Sequence, residues 1–155
     1  DIAMEAGITN SVKSGYLNMI DTAINYRYQK AERCVGRALV DLTTNHGFPR
    51  EELFVSSKIG YLTEDADKGI PSYAVLNELK EKKLITDADV AGNSHCMHPA
   101  YLSDQLERSL ENLQLDTLDL LYLHNASESQ MPIVGVDNFT LRLIKAFEWA
   151  EQARK

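Results

Sequence analysis

Four side chains in this sequence are suited to moving a proton: Asp21, Tyr26, Lys58 and His124. A tyrosine can supply a proton, but a reference pKa of about 10 makes it a reluctant acid at neutral pH. A neighbouring ammonium stabilises the phenolate. Burying an ammonium is costly unless a carboxylate pairs with it. An imidazole can donate to an oxygen that is gaining negative charge. These residues are far apart in the chain, so the fold has to gather them.

Each sits where a strand should end. A short apolar run, Leu17 to Ile20, leads into Asp21, and Tyr26 follows before a helical pattern begins. Leu53 to Ser57 runs into Lys58, and Leu118 to Leu123 runs into His124. In a βα-repeat protein the active site collects at the carboxyl ends of parallel strands, so the four can converge. The intervening segments read as helices. Met4, Ala6, Ile8 and Val12 fall at helical intervals within 2–14, with Gly15 at the stop. Ala31, Cys34, Val35, Ala38, Leu39 and Leu42 make one apolar stripe. Pro99 opens a helix bearing Leu102, Leu106, Leu110 and Leu113. Residues 125–130 are polar, and Asn138 is the expected cap of a last helix carrying Leu141, Ile144, Phe147 and Trp149. The expected class is α/β, with about three parallel strands and flanking helices.

Several segments together resemble the aldo-keto reductase family. Asp21-Thr22-Ala23-Ile24-Asn25-Tyr26 is similar to the family's Asp-Thr-Ala-x-x-Tyr. Glu32 and Gly36 fall where its Tyr-Gly-x-Gly-x-Ser-Glu-x-x-x-Gly pattern has Glu and the last Gly, while Arg27 replaces the first Gly. Arg50 to Lys58 resembles its Arg-Glu-x-Leu-Phe-hydrophobic-x-Thr-Lys segment. The stretch from Ser109-Leu110 to His124 resembles the run that ends on the family's histidine. Matches in the family's order are far more specific than any one alone.

The resemblance implies a partial (β/α)8 TIM barrel over 1–155, its first strand lying upstream of Asp1. It implies an NAD(P)H-dependent oxidoreductase that reduces an aldehyde or ketone, or oxidises the alcohol. Tyr26 would be the proton donor, with Lys58 as its neighbour, Asp21 as the counter-charge of Lys58, and His124 donating to the substrate oxygen. It further implies NADPH, or less often NADH, as hydride source, with Asp21 also contacting the cofactor. Most other cofactor contacts would come from later strands. Gly135 to Phe139 looks superficially like the family's nicotinamide-binding Gly-Val-Ser-Asn-Phe. It follows His124 too closely for another helix and strand, so that role is not transferred.

The bulk numbers bound the rest. At 155 residues and 44% hydrophobic the chain suffices for one globular core, but a closed barrel takes roughly 250 residues. A fragment of a longer protein, inactive when isolated, is therefore expected, with the remainder of the barrel or a partner chain covering the inner face. A net charge of −7 without a basic cluster argues against nucleic acid and against an anionic membrane. No apolar run reaches the ~20 residues of a membrane span. A soluble, cytoplasmic protein with a small carbonyl or alcohol substrate is expected, organelle targeting being left open because residue 1 is Asp. Cys34 and Cys96 are too few for a disulfide framework, and Cys34 reads as a buried reduced thiol.

Residues 59–98 exceed the ~2–6 residues of an ordinary βα loop. Leaving from the catalytic end, they read as a possible active-site cap, with Pro71 opening a helix that carries Val75, Leu76 and Leu79. His95-Cys96-Met97-His98 is no metal site, because adjacent donors on an extended segment cannot all face one ion. Asp65-Ala66-Asp67 and Asp87-Ala88-Asp89 read as solvated turn and cap residues. The competing reading, from a different class, is a non-catalytic barrel-derived subunit acting in binding or assembly. Intact mass of the natural protein and NADPH titration would separate the two.

Overall fold

The computed structural model describes residues 1–154. Helix α1 (Ile2–Lys13) precedes β1 (Met19–Asp21), and α2 (Lys30–Asn45) precedes β2 (Phe54–Ile59). The long excursion holds α3 (Ala74–Glu81) and two short strands, β3 (Val90–Ala91) and β4 (His95–Cys96). Helix α4 (Pro99–Leu113) leads to β5 (Leu120–Leu123), followed by α5 (Ala126–Val134) and α6 (Val136–Ala153). Strands β1, β2 and β5 form one parallel sheet in the order β1-β2-β5.

The two-residue period of a strand divides this sheet into two chemically different faces. Ile20, Val55 and Ile59 point to the helices and are buried. Val55 and Ile20 join Val12, Val35, Leu39, Leu42, Leu53 and Leu113 in one core cluster. Ile59 joins Ile24, Met97, Leu102 and Ala146 in a second. Register places Met19 beside Phe54, Asp21 beside Ser56 and Leu120, and Lys58 beside Tyr122 on the opposite face. That face is polar toward the carboxyl ends and carries exposed Met19, Phe54 and Tyr122.

Two residues of the sequence pattern turn out to be packing devices. A Cβ at Gly36 would lie 2.5 Å from the backbone oxygen of Asn112, so glycine is what lets α2 close on α4. Glu32 is fully buried. It accepts from Ser57 Oγ at 2.6 Å and from Asn112 Nδ2 at 3.0 Å, and so ties α2 to β2 and α4. Burial pushes its carboxyl above the usual range, against those hydrogen bonds.

Residues 126–134 are helical. Two expectations need correction. Asn138 lies inside α6, not at its cap, and its Nδ2 donates to Val134 O at 3.0 Å. Gly135, with φ +79°, makes the turn between α5 and α6. Asp65 is not a solvated turn residue: Arg33 of α2 grips it with bonds of 2.9 and 2.6 Å, and it is 4% exposed. Asp89 does cap, in a reciprocal box with Thr86.

The excursion has a small core of its own. Leu76, Leu79, Ile85 and Cys96 pack with Tyr101 of α4. Burial pushes the Cys96 thiol up to about 11, which makes it an inert core group. Among the described residues no helix is long and apolar enough to cross a membrane.

Candidate active site

The parallel register carries the candidate residues to one end of the sheet. Asp21 is the last residue of β1, and Lys58 lies near the end of β2 on the same face. His124 directly follows β5, its backbone N–H donating to Ile59 O at 2.8 Å, so the ladder continues to the histidine itself. Tyr26 sits in the turn after β1, where its N–H donates to Ala23 O at 3.0 Å. That turn continues through Arg27, Tyr28 and Gln29, whose φ values of 50°, 58° and 74° lie in the left-handed region. Arg27 stands where the related pattern has its first glycine, so side-chain-bearing residues here adopt a backbone conformation that glycine reaches without cost.

The Lys58 ammonium is held by Asp21 Oδ2 at 2.5 Å and by Thr22 O at 2.8 Å. Ser56 Oγ donates to Asp21 Oδ1 at 2.6 Å. Burial pushes the Asp21 carboxyl up, yet the bonds from Lys58 and Ser56 and the charges of Lys58 and His124 hold it below its ordinary value. The same ammonium lies over the Tyr26 ring, 5.0 Å from the ring centroid. The contact is with the ring face, a cation–π arrangement, rather than a hydrogen bond to the hydroxyl.

His124 completes the group. Its ring stands edge-on to Tyr26 at 5.6 Å between centroids and edge-on to Tyr61 at 5.0 Å. Its Nδ1 meets Asn25 Oδ1 at 3.1 Å. Burial lowers its pKa, the Lys58 charge adds to this, and Asp21 and Glu128 oppose it. All four candidates therefore meet at one rim, with Tyr26 the most open to solvent among the two ring-bearing ones. A broad hollow behind the sheet, lined by Leu106, Leu121, Phe139 and Trp149, includes none of the four.

Several neighbours carried no obvious signal in the sequence. Tyr61 also packs edge-on against His95 at 5.1 Å, and its hydroxyl accepts from Ser129 at 2.8 Å. His95, fully buried, bonds His124 O through Nε2 at 2.8 Å and Gln130 Nε2 through Nδ1 at 3.0 Å. Arg142 closes this chain onto Gln130 Oε1 at 2.7 Å. A Cβ at Gly60 would sit 2.5 Å from His95 Nε2, so only glycine admits the imidazole there. His98 instead caps α4, its Nδ1 accepting from Ala100 N at 3.3 Å.

The model of the aldo/keto reductase family matches residues 1–151. The chain belongs to that family. Its three parallel strands with flanking helices make a partial barrel of the aldo/keto reductase type, an oxidoreductase family. An aldose reductase from Giardia lamblia is similar over 79% of this chain and 28% of its own, with 20% identity and a TM-score of 0.51. An aldose reductase from Schistosoma japonicum is similar over 77% of this chain and 28% of its own, at 22% identity and a TM-score of 0.50. A Bombyx mori aldo-keto reductase, determined in complex with NADP, covers 88% of this chain at 21% identity with a TM-score of 0.48. This chain thus spans about a third or less of the length of the solved structures it resembles. No curated protein matches it.

The family's nicotinamide cofactor can be weighed against this rim of the aldo/keto reductase chain. Each Asp21 oxygen accepts one bond, and the side chain is 46% exposed. A carboxylate has about four acceptor positions, so Asp21 keeps capacity for a further hydroxyl donor such as a ribose. The residues present fit one edge of such a group.

Proposed function

We propose that this chain carries the proton-transfer side of NAD(P)H-dependent reduction of an aldehyde or ketone, run in reverse for the alcohol, with Tyr26 as proton donor. NADPH, or NADH, when bound would supply the hydride, and Asp21 is the residue here that would contact it. As the carbonyl carbon gains a hydride, its oxygen gains charge, and the Tyr26 O–H bond breaks to give that oxygen its proton. The phenolate left behind is stabilised by the Lys58 charge beside the ring. Asp21 holds that ammonium in place as its counter-charge. His124 supplies the second contact to the reacting oxygen and orients it.

The observation that carries this reading is the single cluster: Lys58 at 2.5 Å from Asp21 and 5.0 Å from the Tyr26 ring centroid, with His124 5.6 Å from that ring. The excursion 59–98 serves as a cap in this reading. Tyr61, which belongs to it, packs edge-on against the His124 ring, and His95 holds the His124 backbone carbonyl, so the excursion is anchored beside the candidate rim. The rest of a barrel, or a partner chain, would cover the exposed Met19, Phe54 and Tyr122.

The test is Tyr26→Phe in the full-length protein, assayed by single-turnover reduction of a generic aldehyde and by NADPH titration. Carbonyl reduction should fall by at least the ~10²-fold expected when a positioned proton donor is removed, with cofactor affinity nearly unchanged. An unaltered chemical step would remove Tyr26 as the acid.

A further inference from the structure

A second imidazole, an amide and a guanidinium stand in line behind the candidate rim. His95, Gln130 and Arg142 come from three elements, β4, α5 and α6. His95 and Gln130 are fully buried, so each of their polar atoms needs a partner. His95 Nε2 lies 2.8 Å from His124 O, its Nδ1 lies 3.0 Å from Gln130 Nε2, and Arg142 reaches Gln130 Oε1 at 2.7 Å.

The two ends of this line fix everything between them. A guanidinium only donates, so the amide turns its oxygen to Arg142 and its nitrogen to His95. That nitrogen also donates to the His95 backbone carbonyl at 3.3 Å, which only accepts. At the far end the carbonyl of His124 only accepts, so His95 Nε2 carries a proton. His95 Nδ1 faces an N–H and stays bare. Burial favours the same neutral ring. The titratable or charged groups facing it are Tyr61, edge-on at 5.1 Å, His124, and Arg142 beyond the amide; among the described residues no carboxylate bonds it. Arg142 is itself anchored on the excursion, donating to Asp89 O at 3.3 Å and to Ala88 O.

We propose that Arg142 and Gln130 are positioning residues for the candidate rim: they keep His95 a neutral ring that donates through Nε2, and that donor holds the backbone of His124. The His124 N–H is bound by Ile59 O, so the residue is clamped at both of its backbone groups. A proton added to His95 Nδ1 would face the Gln130 N–H, and turning the amide over would aim that same group at Arg142. The line therefore resists protonation of His95 for as long as a pure donor stands at its end. The consequence for carbonyl reduction rests on the proposed function; the polarity of the line does not.

The experiment is ¹⁵N NMR of the full-length protein labelled at histidine, titrated from above to below the ordinary histidine range, with His95→Gln used to assign the resonances. In the wild type Nε2 should be protonated and Nδ1 bare at the alkaline end. Arg142→Met frees the amide to turn and accept from Nδ1–H, so the His95 titration should move to higher pH. Arg142→Lys, again purely a donor, should restore the wild-type titration. In Gln130→Met there is no amide to turn, so adding Arg142→Met should move the titration much less. An equal shift in both backgrounds, the direct effect of a removed charge, would overturn the proposal. So would a wild-type ring protonated on Nδ1, an unmoved titration in Arg142→Met, or a shift as large in Arg142→Lys. Single-turnover aldehyde reduction is the second readout: the chemical step in Arg142→Met should fall, by up to the ~10²-fold that misplacing a reacting group costs, with NADPH affinity unchanged, and should recover in Arg142→Lys. An unchanged chemical step would overturn the positioning role. A wild type without carbonyl reduction would instead refute the proposed function, and the spectra would still decide the polarity of the line.

Discussion

Replacing Asp65 by asparagine tests how the excursion is fastened to the barrel wall. Arg33 contacts both Asp65 oxygens, and backbone N–H groups of Asp67 and Lys68 add two bonds of 3.1 Å to Oδ1. The Arg33 hydrogen bonds, opposed by burial and helped by the two backbone N–H groups, hold the Asp65 carboxyl down to about 2 against an ordinary 3.8. That difference corresponds to about 2.5 kcal/mol favouring the charged form in the folded state. Because the folded pKa is depressed, this stabilisation is fully present above the ordinary value and is lost as pH falls toward 2. Urea unfolding followed by circular dichroism should therefore show Asp65→Asn less stable by about 2.5 kcal/mol at pH 7, the gap closing between about pH 5 and pH 2. Arg33 retains Asp67 at 2.7 Å in the variant, so its own charge is not stranded. Equal midpoints at pH 7, or a gap that does not change with pH, would refute the argument.

Gly36→Ala forces a methyl group into the backbone of α4 and should destabilise by about 1–3 kcal/mol or more. Thermal unfolding would register this, with Gly7→Ala, whose Cβ meets nothing within 4 Å, as a neutral or mildly stabilising control. His95 and His124 both have pKa values lowered from 6.5, chiefly by burial. The unfolded chain therefore binds more protons below about 6.5, and the unfolding free energy should decline as pH drops through that value. Chemical denaturation at pH 7.5, 6.0 and 5.0 checks this, and a stability that rises on acidification would contradict it.

The parallel strands were legible because each short apolar run stops at a polar residue, and the convergence of Asp21, Tyr26, Lys58 and His124 follows from that pattern. The helix stripes of α2 and α4 were equally plain. What escaped notice depends on distant partners. Asp65 looks like any acidic turn residue until Arg33, on another element, reaches it. The stretch 126–134 lacks an apolar stripe and contains Pro132, so its helix is set by tertiary contacts rather than by its own periodicity. His95 sat in a run that was weighed only as a metal cluster and set aside, whereas its place comes from Gly60 opening space beside it. Lys58 was expected beside Tyr26, and which part of the phenol it meets, the ring face, is set by the tertiary fold.

The pairing of β2 with β5 has a temporal meaning as well. Strand β1 meets β2 across one intervening helix, whereas β5 reaches β2 only after the whole of 60–119 has been threaded past. Contacts between distant stretches of chain have the larger loop-closure cost and tend to form late. Within this stretch of chain the carboxylate and the ammonium would thus find each other first, and the imidazole would join the candidate rim only after the longer loop has closed.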